Sequence, residues 1–227
     1  MGMVFGKISV ETPKYEVVQS SQDYEIRKYT SCVIAEVAYD PSQFGGDRDG
    51  GFMVLAKYIG AVGNPQNTKP ETIAMTAPVI TTQKVSEKIA MTAPVITTQK
   101  ASEEIAMTAP VITTQKTPET VGTPSSMVMQ FILPTSKYTS LEQVPKPTDE
   151  RVVIREEGER KYGVVKFSGV ATDELVQEKA KKLKESLERD GCKVITRENE
   201  EPFLLARYNP PWTLPMFRTN EIMIPVE

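Results

Sequence analysis

Histidine is absent from this 227-residue sequence, and cysteine is scarce. Without an imidazole group, the chain excludes a Ser-His-Asp triad, a Cys-His dyad and an H-E-x-x-H zinc site. Its two cysteines, Cys32 and Cys192, lie 160 residues apart, which excludes a zinc knuckle with four clustered ligands. We therefore expect neither catalytic residues of these classes nor metal-binding residues.

Long apolar runs and an excess of basic charge are also missing. No stretch approaches the about 18 consecutive apolar residues that cross a bilayer, so we expect no membrane span. The 27 Lys and Arg residues are outnumbered by 30 Asp and Glu residues, which argues against a nucleic-acid partner. The N-terminus has no apolar leader segment, and two cysteines without one are typical of a reducing compartment. These features predict a soluble, cytoplasmic protein with free thiols.

What the sequence does contain is a perfect twelve-residue repeat, Ile-Ala-Met-Thr-Ala-Pro-Val-Ile-Thr-Thr-Gln-Lys. It occurs three times with a spacing of 16, at residues 73–84, 89–100 and 105–116. Its β-branched residues favour a strand, although a proline interrupts each copy. One interpretation is a duplicated strand-turn unit, in which one copy, for which we favour the first, occupies a sheet and the others form an excursion. The alternative is a set of soft ligands or an adhesive surface formed by the repeated methionines Met75, Met91 and Met107.

A fainter duplication determines the predicted fold. In the first half, alternating runs at 24–29 and 32–38 favour a hairpin, and apolar residues at helical spacing follow over 52–59. In the second half, the runs at 152–156 and 162–167 likewise favour paired strands. Each half therefore begins with two strands.

A helix and further strands complete each half. The second helix is expected to extend from a cap at Asp173 through Arg189, with Gly191 ending it. Strands are expected after each helix, in the Met-Thr-Ala-Pro-Val segment and at 127–133 in the first half, and at 193–197, 203–208 and 221–226 in the second. The order strand-strand-helix-strand-strand thus occurs twice. It predicts an α+β fold in which the two units form a distorted antiparallel β-barrel flanked by two helices.

The same pattern predicts the domain organisation. We expect a single domain over 1–227, with pseudo-repeat halves at about 14–134 and 150–226. The tandem repeat, at about 73–116, is expected to be an insertion in the first half. We expect the proline-containing stretch at 134–150 to form the connection between the halves.

Several short motifs together resemble one protein family. They are Lys57-Tyr-Ile-Gly60, Ile73-Ala-Met-Thr-Ala-Pro-Val79, Lys146-Pro-Thr-Asp149, Phe167-Ser-Gly169, Ala206-Arg-Tyr-Asn-Pro-Pro-Trp212 followed by Pro215, and Arg218-Thr-Asn-Glu-Ile-Met223. In this order, and over a resemblance that runs from about Lys14 to Val226, they resemble the SOUL heme-binding protein family. The tripled repeat resembles the plant cytosolic branch of that family. The resemblance implies a duplicated, barrel-like fold that binds heme or a related tetrapyrrole.

The resemblance also implies a cofactor-binding groove between the first helix and the loop before the last strand. The matching residues are Phe52, Leu55, Ala56 and Lys57 on the helix, and Tyr208, Trp212, Met216 and Arg218 on the loop side. Lys57 and Arg218 would supply charge-assisted contacts to propionates. A structural interpretation stays open for each of them, with the helix residues as core, Trp212 as a loop anchor and Arg218 fixing the last strand by hydrogen bonds.

Three classes of function follow from these observations. The first is non-enzymatic binding of heme or a related tetrapyrrole, as an intracellular carrier or buffer. Because the chain offers only Met, Tyr or Cys as an axial ligand, such binding is expected to be weak and without histidine ligation. The second is a small-molecule-sensing or protein-interaction module on the same barrel. The third is an enzyme that uses Glu221 with Tyr208, although the sequence gives no evidence that these two side chains come together. We favour the first.

Overall fold

The computed structural model describes residues 6–46, 49–84, 126–196 and 201–227, which form nine strands and two α-helices. The strands are β1 (Tyr15–Ser20), β2 (Glu25–Tyr29), β3 (Cys32–Tyr39), β4 (Val79–Lys84), β5 (Ser126–Ile132), β6 (Val152–Glu157), β7 (Arg160–Ser168), β8 (Leu204–Arg207) and β9 (Thr219–Val226). The helices are α1 (Gly50–Ile59) and α2 (Asp173–Arg189). Neither of these described helices is long and apolar enough to cross a membrane.

All the described strands belong to one antiparallel sheet. Its order is β1-β2-β7-β9-β8-β4-β5-β3-β6. The first unit supplies β2, β3, α1, β4 and β5, the second supplies β6, β7, α2, β8 and β9, and β1 adds an edge strand. The sheet curls into a half-barrel, with α1 packed on β3 and β5, and α2 packed on β7 and β9. This architecture confirms the predicted α+β class, with its duplicated units and two flanking helices.

The first strand of each unit pairs with the other unit, so the two predicted hairpins are wrong. β2 pairs with β7, and β6 pairs with β3. In both ladders the numbers of the partner residues add up to 189, as in Tyr29↔Arg160 and Cys32↔Glu157. The two ladders therefore share one register. Alternation of polar and apolar residues is satisfied by a neighbour from either unit, which is why periodicity did not reveal the partner.

A shared register means that β2 and β3 act as one long, bent strand opposite β6 and β7. Pairing extends from Glu25↔Val164 to Val37↔Val152. The pairing is interrupted once, at residues 30–31 of one segment and 158–159 of the other, which have no partners in the ladder. At this break both segments pass from one half of the sheet to the other. We call this feature the crossing ladder.

Apolar side chains form three buried clusters around the sheet. The α1 core includes Val33, Ala35, Leu55, Tyr58, Ile59 and Met129. The α2 core includes Ile26, Leu183, Leu187, Ile222 and Ile224. The inner core includes Tyr29, Cys32, Ile34, Ile80, Tyr162 and Met223. Neighbouring residues of one strand alternate between clusters, so the first two lie under the helices and the third lies on the opposite, inner face of the sheet.

The ends of α2 follow local signals closely. The helix extends from Asp173 to Arg189, as predicted, and Gly191 adopts a left-handed φ of 78° just beyond it. The cap, however, is Thr172, whose hydroxyl accepts a hydrogen bond from the Leu175 amide at 3.4 Å. The predicted cap at Asp173 is therefore wrong by one residue. Asp173 instead occupies the first turn, where a carboxylate interacts favourably with the helix dipole.

The first copy of the twelve-residue repeat enters the sheet. Its second half forms β4, which pairs with β5 on one side and β8 on the other. Met75, at the start of this copy, packs against the α1 core. The second and third copies, with Met91 and Met107, lie outside the described residues. The strand expected at 193–197 is reduced, in its described part, to an isolated bridge between Val194 and Val226.

Close packing of α2 on β7 gives a first prediction. A Cβ atom added at Gly163 would lie 2.6 Å from Cδ1 of Leu187, a side chain without solvent exposure. We expect Gly163→Ala to lower the free energy of unfolding by about 1–3 kcal/mol, because the helix must move outward. Denaturant unfolding measures this loss.

Two control variants make the test specific. Gly158→Ala meets no atom within 4 Å, and we expect it to be neutral or slightly stabilising. Combining Gly163→Ala with Leu187→Ala removes the clash, so the alanine at 163 should then cost nothing beyond the loss from Leu187→Ala alone. An unchanged penalty in the double variant would contradict the close approach.

The pairing of β4 with β5 generates a second prediction. Lys84 and Ser126 are direct partners in this antiparallel ladder, so a short connection is enough to join them. We propose that residues 1–227 form one domain in which copies two and three are an insertion. Deleting residues 85–116 should then leave a single cooperative unfolding transition by circular dichroism. Loss of cooperative folding would show that the extra copies are structural.

Candidate functional site

Helix α1 carries four of the predicted site residues, and they point to different sides of the helix. Leu55 and Ala56 have no solvent exposure and face the sheet, and half-buried Phe52 stacks edge-on against Phe131, with ring centroids 5.4 Å apart. Lys57 is exposed on the opposite side of the helix. In this arrangement the apolar stripe that the sequence indicated is the packing face of α1.

Met53 shares the exposed face of α1 with Lys57. It is 47% exposed and lies one helical turn before Lys57. Sequence reasoning missed it, because a single apolar residue on the polar side of a helix is normally unremarkable. The signal that would have identified it is its position outside the buried stripe, on the side of the helix that faces away from the sheet.

The helix begins close to the sheet because two glycines permit it. A Cβ atom at Gly50 would lie 2.3 Å from the Phe44 ring, and one at Gly51 would lie 2.5 Å from the Tyr39 ring. The helix therefore starts two residues before the predicted 52–59 segment. Close approach, rather than left-handed backbone, is the reason for glycine at both positions.

The loop between β8 and β9 presents a group of exposed apolar side chains. Trp212 is 64% exposed and Met216 is 71% exposed, and Leu214 and Phe217 are also exposed. Four large apolar side chains thus lie within six residues. Exposed apolar side chains that form a contiguous patch usually mark a binding surface.

Internal hydrogen bonds hold this loop in shape. The Arg218 guanidinium donates to the backbone oxygens of Thr213, at 2.8 Å, and Pro211. The Asn209 side chain accepts from the Thr219 amide at 2.7 Å and donates to the Gly6 carbonyl at 3.2 Å. The structure therefore places Arg218 beneath the loop, where it shapes the backbone that carries the apolar side chains.

An ion pair joins the stem of the loop to the start of α1. The Arg207 guanidinium at the end of β8 donates to both carboxylate oxygens of Asp49, one of them at 3.0 Å. A bidentate pair fixes orientation as well as distance. It ties the end of β8 to the start of α1. We use the name α1–loop surface for the exposed side chains that α1 and the β8–β9 loop carry, namely Met53, Lys57, Trp212, Leu214 and Met216.

Tyr208 points away from this surface, towards the inner face of the sheet. Its hydroxyl donates to Oε2 of Glu221 at 2.7 Å, while Nη1 of Arg27 donates to Oε1 of Glu221 at 2.9 Å. Arg27 and Glu221 are both buried. Burial, and then the adjacent Glu221 carboxylate, raise the pKa of Tyr208. Hydrogen bonds therefore link these three side chains in series, from β2 through β9 to the base of the loop.

The structure separates the eight residues that sequence reasoning grouped together. Lys57, Trp212 and Met216 are exposed on the α1–loop surface, and Phe52 lies half-buried at its base. The others lie elsewhere: Leu55 and Ala56 are buried under α1, Arg218 is hydrogen-bonded to the loop backbone, and Tyr208 lies on the inner face of the sheet.

A cleft of ≈ 240 Å³ lies beside this surface, between the beginnings of the two helices and over β4 and β8. Asp49 and Arg207 border it on the α1 side, Asp173 borders it on the α2 side, and Thr81 and Leu205 lie beneath. None of the eight predicted residues is among the described residues that line it. Carboxylates at both sides make the cleft unsuitable for a ligand that is itself anionic.

The donor atoms of the α1–loop surface are few and soft. The described residues contain no cluster of three His, Cys, Asp or Glu side chains able to hold a metal ion. Cys32 is buried on the inner face, and Cys192 is half-buried near Tyr24. The thioethers of Met53 and Met216 are therefore the exposed groups able to ligate a soft metal centre at this surface. Chemically, the exposed apolar side chains of the loop suit a ligand that is itself largely apolar.

Comparison with known proteins gives a sequence family and a fold. The family model described as SOUL heme-binding protein matches residues 10–104 and 98–225. A solved structure of an uncharacterized conserved protein from Listeria innocua is similar with a TM-score of 0.52 and 9% identity, over 91% of this chain and 93% of that chain. The cryo-EM structure of an EcmrR–DNA complex is similar with a TM-score of 0.50 and 11% identity, over 90% of this chain and 57% of that chain. No curated protein matches the chain. At such identities the two solved structures are similar in fold alone.

The Tyr208–Glu221 hydrogen bond gives a prediction about stability and pH. We expect Tyr208→Phe to lower the free energy of unfolding by about 1–3 kcal/mol at neutral pH, because one oxygen of the buried carboxylate loses its donor. The folded-state pKa of Tyr208 is raised above 10, its ordinary value. The contribution of Tyr208 to the free energy of unfolding is therefore fully present below pH 10. It falls as the pH rises further, because the unfolded chain then releases a proton that the folded chain retains. The variant should show a shallower alkaline loss.

Denaturant unfolding at a series of pH values measures both effects. Tyr15→Phe is the matched control, because Tyr15 is 45% exposed and its ring, which phenylalanine keeps, supplies the contact with Arg27. We expect that control to change stability by less than about 0.5 kcal/mol. Equal alkaline slopes for the parent and Tyr208→Phe would contradict the raised pKa.

Proposed function

Because the chain belongs to the SOUL heme-binding protein family, we propose that it binds heme or a related tetrapyrrole on the α1–loop surface, as a non-enzymatic intracellular carrier or buffer. The observation that carries this proposal is the exposed apolar group of the β8–β9 loop beside α1. A cytoplasmic location accords with the free thiols of Cys32 and Cys192. The tripled repeat supports assignment to the plant cytosolic branch of the family.

The shape of the surface favours a flat ligand over a globular one. Trp212 supplies a wide aromatic plane, and Met216 and Leu214 extend the apolar area beside it. The loop is held by Arg218 and Asn209, so these side chains need little ordering when a ligand arrives. A macrocycle lying on this surface would bury one of its two faces.

Area arithmetic indicates the strength of such binding. Burying about 200 Å² of apolar surface on each partner contributes about 10 kcal/mol at 25 cal/mol per Å². Association costs about 4–15 kcal/mol in lost freedom of motion. Since these quantities are comparable, burial of one face alone supports weak binding. Charge and iron ligation then determine how much tighter the complex becomes.

Lys57 is the cation that we assign to a propionate. It is exposed on α1, and its charge contributes to the lowered pKa of Asp149, after the larger effect of the hydrogen bond from Arg151. Arg218 is less available, because the loop carbonyls already accept from its guanidinium. We therefore assign Lys57 to the propionate and Arg218 to positioning the loop.

Iron ligation would come from a thioether. Met53 and Met216 are exposed at the surface, whereas Cys32 lies on the inner face of the sheet. When bound, heme would supply an iron centre that one of these thioethers would hold weakly and exchangeably. Because apolar burial and the propionate contact do not require iron, metal-free protoporphyrin should bind nearly as well.

Two substitutions test the proposed site. We expect Trp212→Ala to weaken heme binding about tenfold or more, because the aromatic plane is lost. Lys57→Glu should also weaken it, because the charge at the propionate position is reversed. Both side chains are exposed, so the thermal melting transition should change little. Titration of the Soret absorbance, alongside a melting curve for each variant, measures both properties.

Matched variants separate the contributions. Trp212→Phe keeps a flat ring and should retain part of the affinity, and Lys181→Glu reverses a charge on the solvent face of α2 and should have no effect. Met53→Leu and Met216→Leu keep the apolar area but remove the thioether, so they should change the heme spectrum more than the affinity for metal-free porphyrin. If Trp212→Ala and Lys57→Glu stay folded and bind heme like the parent, the site lies elsewhere, and a sensing or protein-interaction role becomes the better explanation.

A further inference from the structure

The break in the crossing ladder leaves a small cavity on the inner face of the sheet. The space open to the centre of a water molecule measures ≈ 20 Å³, so the enclosed part of the cavity is small. Tyr29, Thr30 and Cys32 border the cavity from one crossing segment, and Arg160 and Tyr162 border it from the other. The cavity exists here because residues 30–31 and 158–159 leave the ladder without partners in it.

Arg160 brings an unsatisfied charge-bearing group to this cavity. Its Nε atom is the one buried side-chain nitrogen or oxygen in the described part of the chain that has no hydrogen-bond partner. Nη1 donates to Oε2 of Glu157 at 2.6 Å, and Nη2 donates only to the weak acceptor Sγ of Cys32 at 3.1 Å. Nε and Nη2 form the side edge of the guanidinium plane. This edge, which fits the two oxygens of a carboxylate, therefore has no oxygen acceptor.

The remaining walls of the cavity are largely apolar. Ile80, Ile132 and Met223 are buried there, whereas Leu204 and Tyr208 are half-buried and lead towards solvent. A predominantly apolar wall with one oriented polar group is the usual composition of a small-molecule site. The enclosed space is large enough only for a head group, so the body of a ligand would extend over Leu204 and Tyr208.

We propose that this inner pocket binds a small apolar carboxylic acid, with its carboxylate on the Nε–Nη2 edge of Arg160. The carboxylate would satisfy the orphaned Nε donor, and the apolar body would contact Leu204 and Met223. The pocket faces away from the helices, whereas Met53 and Lys57 lie on α1 at the other side of the sheet. It is therefore a second site, and it does not depend on the proposed tetrapyrrole site.

Calorimetric titration of the full chain with benzoate tests this proposal. Benzoate should bind, whereas benzamide, which has the same shape without the charge, should bind at least about tenfold more weakly. Acetate, which has the charge without the ring, should also bind more weakly than benzoate. Absence of benzoate binding, or equal binding of benzoate and benzamide, would overturn the proposal and leave water as the occupant of the cavity.

Variants at the pocket locate the contact. Arg160→Lys keeps the charge beside Glu157 but lacks the planar edge, so benzoate affinity should fall about tenfold or more. Arg155→Lys is the matched control, because Arg155 pairs with Glu36 and Glu157 on the same face but does not line the cavity. Its benzoate affinity should stay within about twofold of the parent.

A second blocking variant covers the case in which Arg160→Lys fails to fold. Leu204→Phe leaves the guanidinium intact and narrows the half-buried entrance, so it should also weaken benzoate binding. Heme titrations of the same variants distinguish this proposal from the tetrapyrrole site. Unchanged heme binding with lost benzoate binding supports two separate sites, whereas full benzoate affinity in both Arg160→Lys and Leu204→Phe would contradict the inner pocket alone.

Discussion

The crossing ladder is the constraint on which the rest of the structure depends. One register joins β2 and β3 to β6 and β7, so neither unit completes its part of the sheet without a strand from the other. Each unit buries its helix against strands whose order is fixed by this exchange. Contacts of such large sequence separation cost loop-closure entropy, and the two buried helix cores, with the inner core, offset that cost.

The ladder also determines the geometry of the β8–β9 loop. Arg27 belongs to the ladder, Glu221 to β9 and Tyr208 to the base of the loop, and the three are hydrogen-bonded in series. A buried ion pair adds little net stability compared with apolar packing, but breaking one is costly, so its main effect is to select one arrangement. The loop therefore leaves the sheet in a defined direction. Arg218 then fixes the loop itself, which allows exposed Trp212 to hold its place without burial.

Local sequence signals predicted the helices and strands, whereas the pairing of the strands was visible only in the structure. The limits of α2 were predictable because an amphipathic stripe, an acidic first turn and Gly191 are all close in sequence. The pairing of β2 with β7 was not predictable, because residues 25–29 present the same alternation to either neighbour. Similarly, motif resemblance predicted Trp212 and Lys57 as site residues, and that stays a prediction. Met53 and Arg160 were not predicted, because exposure and a missing hydrogen-bond acceptor are visible only in the structure.

An open surface and an inner pocket have different kinetic consequences. A tetrapyrrole on the proposed α1–loop site would keep one face in solvent and would leave without any rearrangement of the sheet, so differences in its affinity would appear mainly in the dissociation rate. That property suits a carrier, which must release its cargo to another acceptor. The inner pocket instead lies at the junction of the two units, beside Cys32 and Arg160. A ligand there would contact both segments of the crossing ladder, and it would stabilise the folded chain in proportion to its concentration. If both proposals hold, the duplicated fold would provide one surface for exchange and one junction at which binding is linked to stability.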